Sequence, residues 1–259
     1  MDPALAVDPF AAVPLTHTPA PYEHPGTSGC VGPAVIAPRD RAAQVLASTG
    51  PRSGVVHRLA LPGSVGRLPA GTSARFARFG SVALAFTLDG LFTDEECAAL
   101  VAMAEAKGFY EAPVNVEDDK FRVIPEVRSN FQTLVDDAAI ARLLWDRVAE
   151  YFPAQRGGER AGLNERMRFL RYDAGQKFEA HKDGPCADGS RFTFQLYLTD
   201  GFREGTTRFL SDDGCSGLDV VPRAGRVLAF EHGVMHRGSP PVGGRKYVLR
   251  TEAVYARVA

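Results

Sequence analysis

The segment GQKFEAHKDG ends in a histidine and an acid that lie two residues apart, His181 and Asp183. Side chains two residues apart on a β-strand point to the same face, whereas on a helix they diverge. If the segment is a strand, an imidazole and a carboxylate converge on one point. With six histidines and 31 acidic residues in 259, about 0.7 such pairs arise by chance, so the pair needs support from elsewhere.

A second imidazole that could join this pair is His236, in the segment EHGVMHRGSPP. Two imidazoles and one carboxylate on one face of an octahedron suit non-haem Fe(II), because three positions stay open for substrate and dioxygen. Zinc more often closes its shell with a fourth protein ligand or one water. His232 lies near the same strand end and is the alternative distal ligand, or a group that supports a ligand.

Ten residues after His236, a lysine begins a predicted strand with one polar face. That face carries Lys246, Val248, Arg250 and Glu252, and the more apolar opposite face carries Tyr247, Leu249, Thr251 and Ala253. A fixed ammonium on the polar face can pair with a ligand carboxylate. Arg250 is the alternative anchor, since guanidinium groups bind carboxylates well. The pattern predicts a pocket for a small diacid beside a metal.

Two helices and a series of strands are predicted to position these residues. Thr93 and Glu96 form a T-x-x-E capping box ahead of apolar residues at helical spacing. A second helix follows Asp136 or Asp137 as its N-cap. Short aromatic and β-branched segments come later in the chain: MRFLRY, RFTFQLYL, TRFL, RVLAFE and KYVLRTEAVY. This order predicts an α+β fold in which helices buttress one face of a β-sandwich or jelly roll.

Taken together, these segments resemble the 2-oxoglutarate and Fe(II)-dependent dioxygenases, specifically their prolyl 4-hydroxylase-like branch. RFLRYDAGQKFEAHKD resembles the branch pattern R-x-x-x-Y-x-x-G-x-x-F-x-x-H-x-D. FTFQLYLTD, EGTTRF, AGRVLAFEH and GRKYVLRTEAVY resemble its later strands. The resemblance runs from about Val82 to Val258. The chain departs from the branch at Glu204, Gly205 and Thr206, where a doubled glycine and a Glu usually precede the Thr.

The resemblance implies a double-stranded β-helix that holds Fe(II) with His181, Asp183 and His236. It also implies 2-oxoglutarate anchored by Lys246, with Tyr172 at a position that commonly hydrogen-bonds to this cosubstrate. Dioxygen is the other cosubstrate, and ascorbate is a further cofactor of the branch. The implied reaction hydroxylates an unactivated carbon, in a prolyl residue or a small molecule, with release of succinate and CO2.

Two other functions remain open from the sequence. One is a non-catalytic jelly roll that senses 2-oxoglutarate or oxygen through the same pocket. The other is a zinc hydrolase, which would leave Lys246 unexplained. Arg128, in the segment VRSNFQ, is a candidate for the substrate entrance.

Composition argues against several other classes of protein. Lys plus Arg (30) nearly equals Asp plus Glu (31), so the chain lacks the positive excess of nucleic-acid binders. No apolar run approaches the ~18 residues of a membrane span, and no basic residue precedes Arg39 as a signal would require. Four scattered cysteines without a C-x-x-C pair fit a reducing compartment. We therefore expect a cytoplasmic protein, while its oligomeric state is not indicated.

The chain is predicted to consist of an extension, residues 1–80, and a dioxygenase domain, residues 81–259. Residues 1–38 contain eight of the 18 prolines and no Lys or Arg, which is typical of partial disorder. From Arg41 to Leu88 there are six arginines, counting Arg41, and no acidic residue. This segment is expected to add an edge strand or wrap the domain, with a partner-binding basic arm as the alternative.

Overall fold

The computed structural model describes residues 36–50, 52–61, 83–117, 120–184, 189–211 and 214–256. The disorder predicted for the N-terminal extension therefore falls largely on residues outside this description. Cys30 and Cys186 also lie outside it, whereas Cys97 is a buried thiol. No helix in the described ranges has the length and apolar character needed to cross a membrane.

Three helices have been assigned in the described ranges: α1 Pro38–Ser48, α2 Asp94–Lys107 and α3 Ala138–Val148, the last followed by a 3-10 turn, Ala149–Tyr151. The predicted capping box is present at α2, where Thr93 Oγ1 accepts from the Glu96 amide and Glu96 Oε2 accepts from the Thr93 amide. At α3 the N-cap is Asp137, whose carboxylate accepts from the amides of Ala139 and Ile140. Both caps satisfy amides that a helix leaves without an internal partner.

The strands, β1 to β17, follow in chain order: Val55–Arg58, Ala85–Asp89, Tyr110–Glu111, Val114–Glu117, Lys120–Arg122, Phe131–Asp136, Glu159–Leu163, Arg166–Tyr172, Phe178–His181, Ser190–Tyr197, Arg203–Glu204, Thr207–Leu210, Gly217–Val220, Val227–Glu231, His236–Gly238, Pro241–Val242 and Lys246–Ala256. A nine-stranded major sheet has the order β1-β2-β14-β10-β17-β8-β6-β3, with β7 paired to β17. A minor sheet has the order β13-β12-β15-β9. Two further pairs, β4-β5 and β11-β16, lie apart from both sheets.

The two faces of the major sheet bury different sets of side chains. The outer face packs Phe194 and Leu249 with Leu100 of α2 and Leu144 of α3. The inner face packs against the minor sheet, in a cluster that contains Leu170, Val248, Phe209 and Val220. Alternation along β17 thus sends Leu249 to the helices and Val248 to the space between the sheets, as predicted. The α+β jelly roll with helices on one face is confirmed.

Helix α1 and strand β1 pack with the rest of the compact unit, although both precede residue 81, where the dioxygenase domain was predicted to begin. Helix α1 buries Ala42, Val45 and Leu46, and it packs against α2 and α3. Strand β1 is the edge of the major sheet, where it pairs with β2 in antiparallel register. The compact unit begins at Ile36, so residues before position 81 contribute a helix and an edge strand.

Candidate metal centre

His181, Asp183 and His236 are brought together at one end of the minor sheet. His181 ends β9 and His236 begins β15, and the two residues are antiparallel partners. Asp183 follows two residues beyond the end of β9, in a segment without regular structure. One potential ligand atom from each residue lies within 4.8 Å of the other two. Asp183 and His236 are buried, and His181 is partly exposed.

Backbone carbonyls fix the tautomer of both imidazoles. His181 Nδ1 lies 2.7 Å from the Glu179 carbonyl oxygen, and His236 Nδ1 lies 3.0 Å from that of Val234. A carbonyl only accepts, so Nδ1 carries the proton and Nε2 keeps its lone pair. Burial lowers the pKa of His181 to about 3, and burial also lowers the pKa of His236. Both imidazoles are therefore neutral near pH 7, as metal ligation requires.

Asp183 is held as a carboxylate by groups on two central strands. Thr193 Oγ1 donates to Oδ2 at 2.6 Å, and Arg250 Nη2 donates to Oδ1 at 2.9 Å. Burial by itself raises the pKa of Asp183, but Arg250, both imidazoles and Thr193 together hold it well below its usual value. The sequence analysis missed Thr193. Its signal is a polar residue at an inward position of the aromatic strand β10.

Aromatic rings support the two imidazoles. Phe178 stacks on His181 with ring centroids 3.6 Å apart, and Phe230 meets His236 edge-on at 4.6 Å. The Arg128 guanidinium lies 4.6 Å from the centroid of the Phe178 ring, so it is one ring away from His181. These contacts restrict the orientation of both imidazoles, which a metal site needs.

Arg128, predicted near the substrate entrance, is almost fully buried. It donates to Asn130 Oδ1 at 2.8 Å and to the Pro113 carbonyl at 3.0 Å. Burial lowers the pKa of Arg128 to about 10, and it still stays protonated at neutral pH. The structure therefore adds a buried positive charge close to the triad.

Lys246 begins β17 on its inner face and is only 2% exposed. Its Nζ donates to the carbonyl oxygens of Gly205 at 2.9 Å and Ser239 at 3.4 Å, and it lies 4.2 Å from the centroid of the Tyr172 ring. Within the described ranges, no carboxylate forms an ion pair with it. Burial lowers the pKa of Lys246 to about 7. Tyr172 is its partner across β8 and β17, and burial raises the pKa of that phenol.

The other predicted residues lie in different surroundings. Arg250 is already engaged with Asp183, and its Nη1 lies 3.8 Å from Glu252 Oε1. His232 is buried but does not belong to the three-residue group, and burial lowers its pKa. The geometry therefore favours His236 over His232 as the distal imidazole.

The segment around Glu204 contacts Lys246 through its backbone. Strand β11 pairs with β16, and the next residue, Gly205, supplies the carbonyl that accepts from Lys246. Glu204 has φ of 59°, in the left-handed region that favours glycine. A side chain therefore stands at a strained position beside the predicted cosubstrate pocket.

Comparison with known proteins identifies a family model that matches part of this chain. The model of the 2OG-Fe(II) oxygenase superfamily matches residues 167–251, a segment that contains the triad and Lys246. Probable prolyl 4-hydroxylase 3 of Arabidopsis thaliana is 28% identical over 198 residues, 63% of this chain and 66% of that protein. Prolyl 4-hydroxylase 2 of the same plant is 26% identical over 200 residues, 63% of this chain and 64% of that protein. The chain thus spans slightly less than two thirds of the length of these two relatives.

A solved structure gives the same architecture. The viral collagen prolyl hydroxylase of Paramecium bursaria Chlorella virus-1, in its 2-oxoglutarate complex, aligns with a TM-score of 0.50 at 19% identity, over 66% of this chain and 96% of that chain. The shared fold is the double-stranded β-helix. The family model, the curated relatives and the shared fold all support the resemblance to the prolyl 4-hydroxylase-like branch of the 2-oxoglutarate and Fe(II)-dependent oxygenases that was seen in the sequence.

Proposed function

We propose that this protein is an Fe(II)- and 2-oxoglutarate-dependent dioxygenase that hydroxylates an unactivated carbon and releases succinate and CO2. The observation that carries the proposal is the buried ammonium of Lys246, which faces the same intersheet space as the triad and contacts no carboxylate of the described residues. Buried charges in proteins are normally paired. A ligand carboxylate at this position supplies the missing partner.

The triad residues fit a hard or borderline divalent metal. His181 Nε2, His236 Nε2 and one Asp183 oxygen would hold Fe(II) on one face and leave three positions open. When bound, the iron supplies the oxygen chemistry, while the protein supplies binding, orientation and exclusion of water. Phe178 and Phe230 contribute to that exclusion through their packing on the imidazoles.

Lys246 is a better anchor for 2-oxoglutarate than Arg250. Arg250 already donates to Asp183, so a cosubstrate carboxylate would have to compete for its guanidinium. Among the described residues, Lys246 donates to carbonyl oxygens and pairs with no carboxylate, so its protonated form is available to a ligand carboxylate. Tyr172 keeps its proton near neutral pH and can donate a hydrogen bond beside Lys246.

The finer parts of the proposal concern the acceptor, the cosubstrates and the location of the protein. A prolyl side chain is the favoured target because the curated relatives are named prolyl 4-hydroxylases, and a small molecule is the alternative. Dioxygen as cosubstrate and ascorbate as reductant follow from the branch. Balanced charge and scattered cysteines support a cytoplasmic location without a nucleic-acid partner.

The test begins with metal-free protein under anaerobic conditions. Fe(II) and 2-oxoglutarate are added while the visible charge-transfer band of the chelate is followed, and then oxygen is admitted and succinate is quantified. Asp183→Ala and Lys246→Ala are compared with Lys107→Ala, which removes an exposed lysine at the end of α2. We expect the band and succinate in wild type and the Lys107 variant, and neither at wild-type level in the other two.

Other outcomes separate the alternatives. A band without succinate, even with prolyl peptides and small-molecule acceptors present, favours a sensor that binds 2-oxoglutarate without turnover. No band in the wild-type protein contradicts the proposed function.

A further inference from the structure

A second buried cation, Arg250, lies next to the triad. Its Nη2 is 2.9 Å from Asp183 Oδ1, and its side chain is 11% exposed. Its Nη1 lies 3.8 Å from Oε1 of Glu252, which is fully buried. The guanidinium therefore stands between two buried carboxylates, one of which belongs to the triad.

Asp183 is already charge-balanced before any metal binds. Its Oδ1 accepts from Arg250 and its Oδ2 accepts from Thr193. The same two oxygens face the imidazoles, with Oδ1 3.8 Å from His181 Nε2 and Oδ2 3.7 Å from His236 Nε2. A metal held by these atoms is thus separated from a fixed guanidinium by a single carboxylate. Like charges at such spacing repel strongly in a protein interior, where water screens them poorly.

The buried charges around the triad indicate which kind of ligand would offset the repulsion between a bound metal and Arg250. The buried charges of Asp183, Glu252, Lys246 and Arg250 sum to zero, although no described carboxylate contacts Lys246. A divalent metal leaves this set with two excess positive charges, and Arg128, also buried, adds another. A dianion such as 2-oxoglutarate removes the excess contributed by the metal. A metal bound without a dianion therefore leaves this buried group with an excess of positive charge.

We infer that Arg250 is a positioning residue that makes the divalent metal and the dianionic cosubstrate bind cooperatively. This inference rests on the proposed function. Metal alone is held weakly because Arg250 has already neutralised Asp183, and 2-oxoglutarate strengthens the hold by supplying the missing negative charge. By linkage, the metal strengthens 2-oxoglutarate binding by the same factor.

This role has the opposite effect on metal affinity from that of a residue that only orients a ligand. A group that merely aims a ligand strengthens metal binding, and its loss weakens metal affinity by about 10–100-fold. Thr193 already orients Asp183 through the other oxygen. Loss of the Arg250 charge should therefore tighten the binding of metal alone, which an orienting role does not predict.

The test uses Mn(II) as the probe, because its free fraction is measured directly by electron paramagnetic resonance. Mn(II) affinity is determined with and without 2-oxoglutarate for wild type, Arg250→Gln and Arg250→Lys. Arg226→Gln is the control, since Arg226 pairs with Asp89 in an ion pair outside the triad. In wild type and the control, we expect 2-oxoglutarate to raise Mn(II) affinity about tenfold or more.

The two Arg250 variants separate charge from hydrogen bonding. Arg250→Gln should bind Mn(II) alone about tenfold more tightly than wild type, with a smaller enhancement by 2-oxoglutarate. Arg250→Lys keeps the charge and should behave like wild type. Weaker or unchanged Mn(II) binding by Arg250→Gln overturns the inference, and so does a wild type in which 2-oxoglutarate leaves Mn(II) affinity unchanged.

The wild-type measurement stands even if a variant does not fold, which unfolding curves would reveal. Its outcome is also distinct from failure of the proposed function. If succinate forms but Mn(II) affinity does not respond to 2-oxoglutarate, only the cooperativity is wrong. If Mn(II) and 2-oxoglutarate bind cooperatively but no succinate forms, the dioxygenase activity is wrong.

Discussion

Buried charges lie on both sides of the major sheet, but they are paired to different extents. On the helix side, Glu96 is fully buried and its Oε1 lies 2.6 Å from Arg147 Nη1. Glu96 also accepts from the Thr93 amide and from the Thr49 hydroxyl. Burial opposes its ionisation, yet Thr49, Thr93 and Arg147 together hold the pKa of Glu96 below its usual value. This acid is fully paired within the protein, and its role is structural.

On the inner face, one charge lacks such complete pairing. Lys246 is almost as buried as Glu96, but within the described part of the chain its ammonium contacts only carbonyl oxygens and an aromatic ring. Asp183 shares its charge with Arg250 while facing two neutral imidazoles. A buried charge costs free energy when it is left unpaired. Incomplete pairing, rather than burial, therefore distinguishes Lys246 on the inner face from Glu96 on the helix side.

The largest expected effect is on the helix side. Glu96→Gln leaves Arg147 without its buried partner, so the free energy of unfolding should fall by about 3 kcal/mol. Urea denaturation measures this change, and Mn(II) affinity should stay at the wild-type value. Glu95→Gln is the matched control, because Glu95 is 69% exposed and its surface pair with Arg41 contributes little. Equal effects of the two substitutions would contradict the structural role of Glu96.

Removal of the Lys246 charge on the inner face should raise the free energy of unfolding rather than lower it. Lys246→Met removes an uncompensated charge, so the ligand-free protein should gain about 1 kcal/mol in its free energy of unfolding. The same substitution should weaken 2-oxoglutarate binding about 100-fold, because the carboxylate loses its cation. Calorimetry and urea denaturation measure the two effects. A less stable variant that binds 2-oxoglutarate normally would show that Lys246 is a core residue.

The pH dependence of 2-oxoglutarate binding sharpens the same comparison. Burial lowers the pKa of Lys246 to about 7, so the free protein loses this proton as the pH rises through 7. The carboxylate binds the protonated form, and its affinity should fall by up to about tenfold per pH unit above that point. Calorimetry in buffers of different ionisation enthalpy should show proton uptake at pH 8. In Lys246→Arg, the guanidinium stays charged, and both the uptake and this fall should disappear.

The smallest expected effect concerns the loop over Lys246. Glu204→Gly relieves a left-handed backbone conformation, so the free energy of unfolding should rise by about 0.5–1 kcal/mol. The midpoint of urea denaturation measures this gain. Arg203→Gly, one residue earlier in the same strand, is the control and should be neutral or destabilising. A destabilised Glu204→Gly variant would mean that the Glu204 side chain contributes more than its backbone costs.

Local signals explain why so much of the fold could be predicted. The capping box of Thr93 and Glu96 and the N-cap Asp137 each act within three residues, so the sequence reveals them directly. Helix α1 was missed because its only cap signal is a proline, and its apolar residues are few. The strand carrying the first ligands was predicted too long, since β9 ends at His181 and leaves Asp183 beyond it.

The residues of the triad, the alternation along β17 and the family resemblance could be predicted, because each depends on residue type and on spacing along one segment. Three findings come from the folded protein alone: Arg250 and Thr193 share Asp183, Arg147 pairs with Glu96, and no described carboxylate pairs with Lys246. Those contacts join residues far apart in the chain. They depend on strand register and on the packing of helices against a sheet, which spacing within a segment does not specify.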